Sequence, residues 1–347
     1  MDLVSLLESV EGLRSVDRTV SAQLVTPTNV GNLLYPTFFP PQPVRSVNIG
    51  EISIGNFRPT ASRREWNGPG RSIPIRTPNT RDLEIIPVEA YFTLGEKEMQ
   101  KLVEVTDNNE ALILQRMGAD LPSRTDALAE ADERRIELDA LTLWQTGSIT
   151  QDDPQTGRTY VTSFGFDPAR IQTAGTAWTS GTAYANFMAW LADAESNFAV
   201  GGVALRQSTY NAIEAGAPNL LNGYRPTRRD VQQRIGDVIG RPFAFLTIED
   251  TLDVPVDGGL EFVKTKKWQT GRIAAIPTDG NVGRTAFAPV VRAAELARQF
   301  PGAGIDRNGK VIYYTSLNEG KGAKVSAQVN ALSIPAEDNL WVISCGI

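Results

Sequence analysis

The chain has 347 residues, 41% hydrophobic and 21% charged, enough to bury a sizeable core and suited to a soluble protein of two or three domains. Its net charge of −6 argues against a sequence-tolerant nucleic-acid coat, because such affinity comes from basic charge that neutralises phosphates. It has no histidine and one cysteine, Cys345, which excludes imidazole catalysis, most zinc and iron sites, any internal disulfide and any cysteine metal cluster. Only carboxylate, lysine or tyrosine chemistry stays open, so a structural or binding protein is expected in place of an enzyme. No apolar run approaches a membrane span, and the acidic start MDLVSLLESVEGLRSVDRTV is unlike a secretory signal, so the chain is expected to stay in the cytosol.

Leu3, Leu6, Leu7, Val10 and Leu13 fall at helical spacing and predict a short amphipathic helix over residues 1–20 that needs a partner surface. Residues 27–43, PTNVGNLLYPTFFPPQP, read as an extended arm: prolines exclude regular structure, and Leu33, Leu34, Tyr35, Phe38 and Phe39 are large apolar anchors. The anchors either pack on their own domain or lie on a neighbouring subunit. Over residues 44–92, two extended runs flank Asn67-Gly68-Pro69-Gly70, which predicts a long two-stranded hairpin. Its tip and second limb are basic, with Arg58, Arg63, Arg64, Arg71, Arg76 and Arg81 against Glu65 alone.

Residues 107–147 predict two helices in line, the second from Asp126 to Thr146 and about 30 Å long. Asp126 is its expected N-cap and Gly147 its left-handed C-cap. Leu128, Ala131, Ile136, Ala140, Leu143 and Trp144 make a narrow apolar stripe. Glu130, Asp132, Glu133, Arg134, Glu137 and Asp139 form a charged roof, expected to face water or another subunit. From Asp126 to Asp139 six acids stand against Arg134 and Arg135, so the basic hairpin and this helix are suited to dock, within one chain or between two.

A second hairpin is predicted over residues 148–166, turning at Asp152–Gly157; Asp152 and Asp153 lack the further oxygen ligands of a calcium site and read as a plain turn. From Trp178 the pattern is α/β. Helices are expected at 181–198, 208–215 and 227–235, and strands at 200–206, 243–248 and 264–276. Residues 292–300 look helical, 310–317 and 324–332 alternate like paired strands, and NLWVISC predicts a last strand. Gly304 to Val311 satisfies G-x-x-x-x-G-K, but Val311 replaces the hydroxyl residue that would hold magnesium, and a strand-like run follows where a helix should open. It reads as a tight turn.

An arm, a long basic hairpin, a long helix, an α/β domain and a return strand follow one another as in phage major capsid proteins of the HK97 fold. The chain resembles the lambda-type capsid protein E family within it, through ERRIELDALTLWQTGSI running into a hairpin, FGFDPARI after it, and the ending AKVSAQVNALSIPAEDNLWVISC. The resemblance implies an α+β, HK97-like fold: an N-terminal arm (1–47), an extended loop (48–90), a peripheral domain with a spine helix (91–165 with 311–347) and an axial domain (166–310). It implies self-assembly into pentamers and hexamers of an icosahedral head shell around double-stranded DNA held without sequence-specific binding, with no membrane association, no catalytic residue, no cofactor and no metal. Arg58, Arg63, Arg64, Arg71, Arg76, Arg81, Tyr35, Phe38, Phe39, Glu130, Glu133 and Glu137 are then the expected subunit-interface residues. A separate scaffolding protein is expected, because no coiled-coil segment precedes the arm; a portal protein is the other implied partner, with or without a decoration protein. The protein would be assembled in the host cytoplasm and end in the virion. The first lysine is Lys97, beyond the extended loop, so the lysine–asparagine cross-link of some members of the fold is not expected. An encapsulin-like shell around protein cargo is the alternative within the fold, and a carboxylate-dependent hydrolase the alternative outside it.

Overall fold

The computed structural model describes residues 33–46, 48–53, 79–85, 87–94, 111–153, 158–164, 166–179, 181–219, 223–256, 261–290, 311–317 and 322–346. The first elements in chain order are α1 (Tyr35–Phe38), β1 (Pro41–Pro43), β2 (Asn48–Ser53), β3 (Asn79–Glu84), β4 (Pro87–Leu94) and α2 (Ala111–Thr146). Next come β5 (Ser148–Asp153), β6 (Arg158–Ser163), β7 (Ile171–Thr173), α3 (Ala183–Asn197), β8 (Val200–Leu205), α4 (Gln207–Ala215) and α5 (Arg228–Ile239). The rest is strand: β9 (Ala244–Thr247), β10 (Thr251–Val256), β11 (Glu261–Lys266), β12 (Arg272–Pro277), β13 (Gly283–Ala288), β14 (Val311–Leu317), β15 (Gly322–Pro335) and β16 (Val342–Ser344). The chain divides into two compact units, one of residues 1–47, 85–140 and 284–334, the other of residues 48–84, 141–283 and 335–347.

The first unit is built on a sheet in the order β1-β13-β15-β14, with β4 also paired to β15. The expected pairing of residues 310–317 with 324–332 is antiparallel, from Val311 opposite Gln328 to Leu317 opposite Gly322, and β15 continues to Pro335. The arm departs from its expectation. Prolines were expected to exclude regular structure, yet Tyr35–Phe38 form one helical turn and Pro41–Pro43 a strand parallel to β13. Pro36 stands at the start of the turn, where an amide proton would lack a partner anyway.

The two helices expected in line are one, α2, of 36 residues, about 54 Å long. Asp126 is therefore no N-cap but lies in mid-helix. Pro122 removes one backbone bond and costs about 3 kcal/mol, which strong helix formers on both sides, such as ALILQRM and ALAEADERR, offset. The far end meets expectation. Gly147 adopts φ 70° and its amide closes on the Leu143 carbonyl at 2.7 Å. It is this backbone angle that requires glycine; an added Cβ would also push aside the end of the Ile171 side chain, 2.2 Å away.

The second unit holds a sheet in the order β7-β16-β12-β8-β9, with α3, α4 and α5 packed on it. Phe187, Leu191, Val203, Leu205, Ile213, Val231, Ile235 and Ile273 make its dry core. Strand β8 lies so near β9 that a Cβ on Gly202 would sit 2.5 Å from the Ala244 carbonyl oxygen. Helix α5 opens with Thr227 and Asp230 in a reciprocal capping box. Three two-stranded pairs complete the unit: β2–β3, β5–β6 and β10–β11.

Here the expected strand over 264–276 is two, β11 and β12, because buried Trp268 and the residues to Gly271 break the run. Strand β10 was not expected; among the described residues it pairs with β11 alone, with Pro255 inside it opposite Phe262. The hairpin expected over 148–166 is present as β5 and β6, with Asp152 and Asp153 inside β5 opposite Thr159 and Arg158. The C-terminal strand β16 pairs with β7 and β12 in this sheet, not with β14 and β15, so residues 335–347 group with the α/β unit and not with the sheet assigned to a peripheral domain. The helices expected over 1–20 and 292–300, and the G-x-x-x-x-G-K turn over residues 304–310, lie outside the described residues.

Candidate subunit interface

Helix α2 carries all three expected interface acids, and the structure divides them. Glu130 lies at the surface, paired with Arg134 at 2.8 Å one turn on, and Arg135 pairs with Asp139 at 3.0 Å in the same spacing. Glu133 and Glu137 are buried, as are Asp132 and Asp139, so the roof expected to face water or another subunit is largely covered within the chain.

What covers it around Glu137 is the arm. Glu137 accepts the Leu34 amide at 3.1 and 3.0 Å, one through each carboxylate oxygen, and the Tyr35 amide at 2.8 Å. Glu133 accepts the Tyr35 phenol proton at 2.5 Å. The carboxylate of one element thus caps the first turn of another, 102 residues away in sequence, where unpaired amides and the positive end of the turn favour an anion. Tyr35 and Phe38 are buried and Phe39 is fully buried. Of the two placements open for these anchors, the structure has them packed within their own unit.

The basic half of the expected contact is mostly out of reach. Arg58, Arg63, Arg64, Arg71 and Arg76 lie outside the described residues, and Arg81 lies in β3 opposite Glu51. Strands β2 and β3 form the base of the expected hairpin, from Asn48 opposite Glu84 to Ser53 opposite Asn79.

One feature of the second unit gave no signal in the sequence. The end of α2 grips the root of the β10–β11 hairpin: Gln145, buried, donates to the Lys267 carbonyl at 3.0 Å and accepts the Gln269 amide at 2.7 Å, while Trp144 and Trp268 meet edge to face at 5.4 Å. Beyond that root the hairpin is open to solvent, with Phe262 64% and Val263 52% exposed.

Nothing among the described residues gathers into a reactive centre. Among the described residues no group of three or more Cys, Asp or Glu side chains is placed to hold a metal ion. An open groove of about 570 Å³ beside α5 is lined by Arg229, Gln233, Arg241 and Phe243, with Asp237 its one carboxylate. Burial raises the Tyr210 phenol above its ordinary range, helped by its hydrogen bond to Glu214 at 2.9 Å, so it keeps its proton. Among the described residues no helix is long and apolar enough to cross a membrane.

No family model matches the sequence, and no curated protein matches it. Solved structures do. The crystal structure of the assigned capsid protein of a prophage in E. coli CFT073 superposes with a TM-score of 0.53 at 10% identity, covering 94% of this chain and 98% of that one. Weaker likenesses include a phage-related protein of Bordetella bronchiseptica RB50 (TM-score 0.47, 10% identity, 95% and 96% covered) and the capsid of Myoviridae phage XM1 (0.44, 12%, 86% and 86%). The chain has the α+β fold of HK97-like phage capsid proteins, the fold its order of elements had suggested.

Proposed function

We propose that this protein is a major capsid protein, many copies of which close into an icosahedral head shell around phage double-stranded DNA. The observation that carries the reading is the likeness over nearly the whole of both chains to the prophage capsid protein, kept at 10% identity. The absence of histidine from the sequence supports a structural role over an enzymatic one. In this reading the subunits form pentamers and hexamers in the host cytoplasm, with a separate scaffolding protein and a portal as partners, with or without a decoration protein. DNA is enclosed without sequence-specific contact, which suits a net charge of −6. The arginines from Arg58 to Arg81 would dock on acids of a neighbouring copy. Glu130 stays at the surface for this, whereas Glu133 and Glu137 already hold the chain's own arm.

Electron microscopy with sedimentation of the purified protein, alone and with its genomic neighbours, tests the proposal. Closed shells or rings of five and six subunits are expected, and a monodisperse monomer under every condition would sink it. Reversing Arg63, Arg64 and Arg71 to glutamate should block assembly and leave the monomer folded, because about 0–1 kcal/mol per exposed pair repeats at every contact. Unchanged assembly at low salt would remove the arginines from the interface.

A further inference from the structure

The arm is more than packed: its backbone finishes a sheet. In the parallel pair of β1 with β13, the Thr285 amide donates to the Pro40 carbonyl at 3.1 Å and the Val44 amide to the Phe287 carbonyl at 2.8 Å. Backbone groups alternate sides along a strand, so residues 40, 42 and 44 turn theirs toward β13, and 41 and 43 turn theirs away. Both outward residues are prolines, and the edge strand of this sheet therefore offers no amide proton at either position. Pro41, Gln42 and Pro43 are all exposed, and among the described residues no strand pairs with that edge.

The strap is fastened at both ends. On one side Glu137 and Glu133 hold Leu34 and Tyr35; on the other the strand pairing is reinforced by Arg284, which donates to Gln42 Oε1 at 2.7 Å. Between them Phe38 and Phe39 are buried. Without the strap, β13 would itself be the edge, presenting the backbone of Thr285 to Phe287 to any extended chain.

We infer that residues 33–44 are a carboxylate-latched strap that ends the sheet of the first unit and prevents a second copy of this chain from adding a strand there. A protein made at high local concentration with open strand edges needs such a stop. The inference holds whether or not the protein builds a shell.

Two changes in the full-length protein separate latch from edge. Glu137→Gln keeps shape and loses charge, so proteolysis within residues 33–44 should quicken about tenfold, as expected for weakening a charge-assisted contact, with an unchanged circular-dichroism spectrum. Unchanged cleavage would remove the latch. Pro41→Thr/Pro43→Thr restores two outward amides and should raise the rate of thioflavin-positive association about tenfold or more, giving disordered or fibrous material by electron microscopy. Pro40→Thr, one position off and turned toward β13, is the control and should behave as the wild type. A double variant that associates no faster than the wild type, or a control that associates as fast as the double variant, would overturn the inference.

Discussion

The arm and the β10–β11 hairpin are both short extended pieces, and they fare in opposite ways. The hairpin has six matched residue pairs, yet Phe262 and Val263 stand in solvent. The arm pairs over only three residues, yet Phe39 is fully buried. Pairing length does not decide which piece is built in. An isolated two-stranded pair is marginal in water, and what holds such a piece is a few anchors fixed by distant groups. For the arm these are Glu133 and Glu137 together with its aromatic side chains; for the hairpin they are Gln145 and Trp268 at its root.

The comparison breaks most clearly at the aromatic residues. Phe39→Ala should cost about 3–5 kcal/mol in chemical denaturation, as for other fully buried phenylalanines. Phe262→Ala should stay within about 0.5 kcal/mol, as for surface changes. Similar losses from both would mean that exposure in the single chain does not rank these two segments.

The root of the hairpin gives the next largest effect. Gln145→Ala leaves the Lys267 carbonyl and the Gln269 amide without their buried partner, which should cost about 2–3 kcal/mol. Amide exchange followed by mass spectrometry should then rise across β10 and β11, while β14 and β15 keep their protection. A rise spread evenly over the chain would show that Gln145 supports the whole unit and not the hairpin.

Much of the second unit could be read from sequence because its signals are local. Periodicity gave α3, α4 and β8, and a helix expected over 227–235 is present as α5. The order of elements also gave the capsid fold. Other features depend on partners far along the chain. Nothing near Tyr35 announces a helical turn, because the carboxylate that caps it is Glu137. Charge counting placed Glu133 and Glu137 on an exposed roof, since composition shows a charge and not the amides that will surround it. The break expected ahead of Asp126 is not there, because flanking helix formers carry the backbone through Pro122, and β10 runs through Pro255 because β11 pairs with it. The arginines from Arg58 to Arg81 are legible as a cluster, but a cluster alone does not name the surface it meets.

The finest test sets two carboxylates with the same task against each other. Glu249 accepts the Gln207 amide at the start of α4 at 2.5 Å, as Glu137 accepts the amides at the start of α1, but it sits half-exposed beside Arg206. The Gln207 amide holds the Glu249 carboxyl below the usual glutamate range; burial pulls the other way, and Arg206 adds to the lowering. A folded value below the unfolded one means stability that is present above the unfolded value and lost as pH falls through the folded one. The stability gap between wild type and Glu249→Gln should therefore be flat near neutrality, shrink as pH drops below the ordinary glutamate value, and close once the folded carboxyl is protonated. Its plateau should be under about 1 kcal/mol, because water and salt screen an exposed pair. A gap that persists in acid would assign the effect to the amide side chain introduced, and a gap as large as that from Glu137→Gln would mean that burial adds nothing to such a cap.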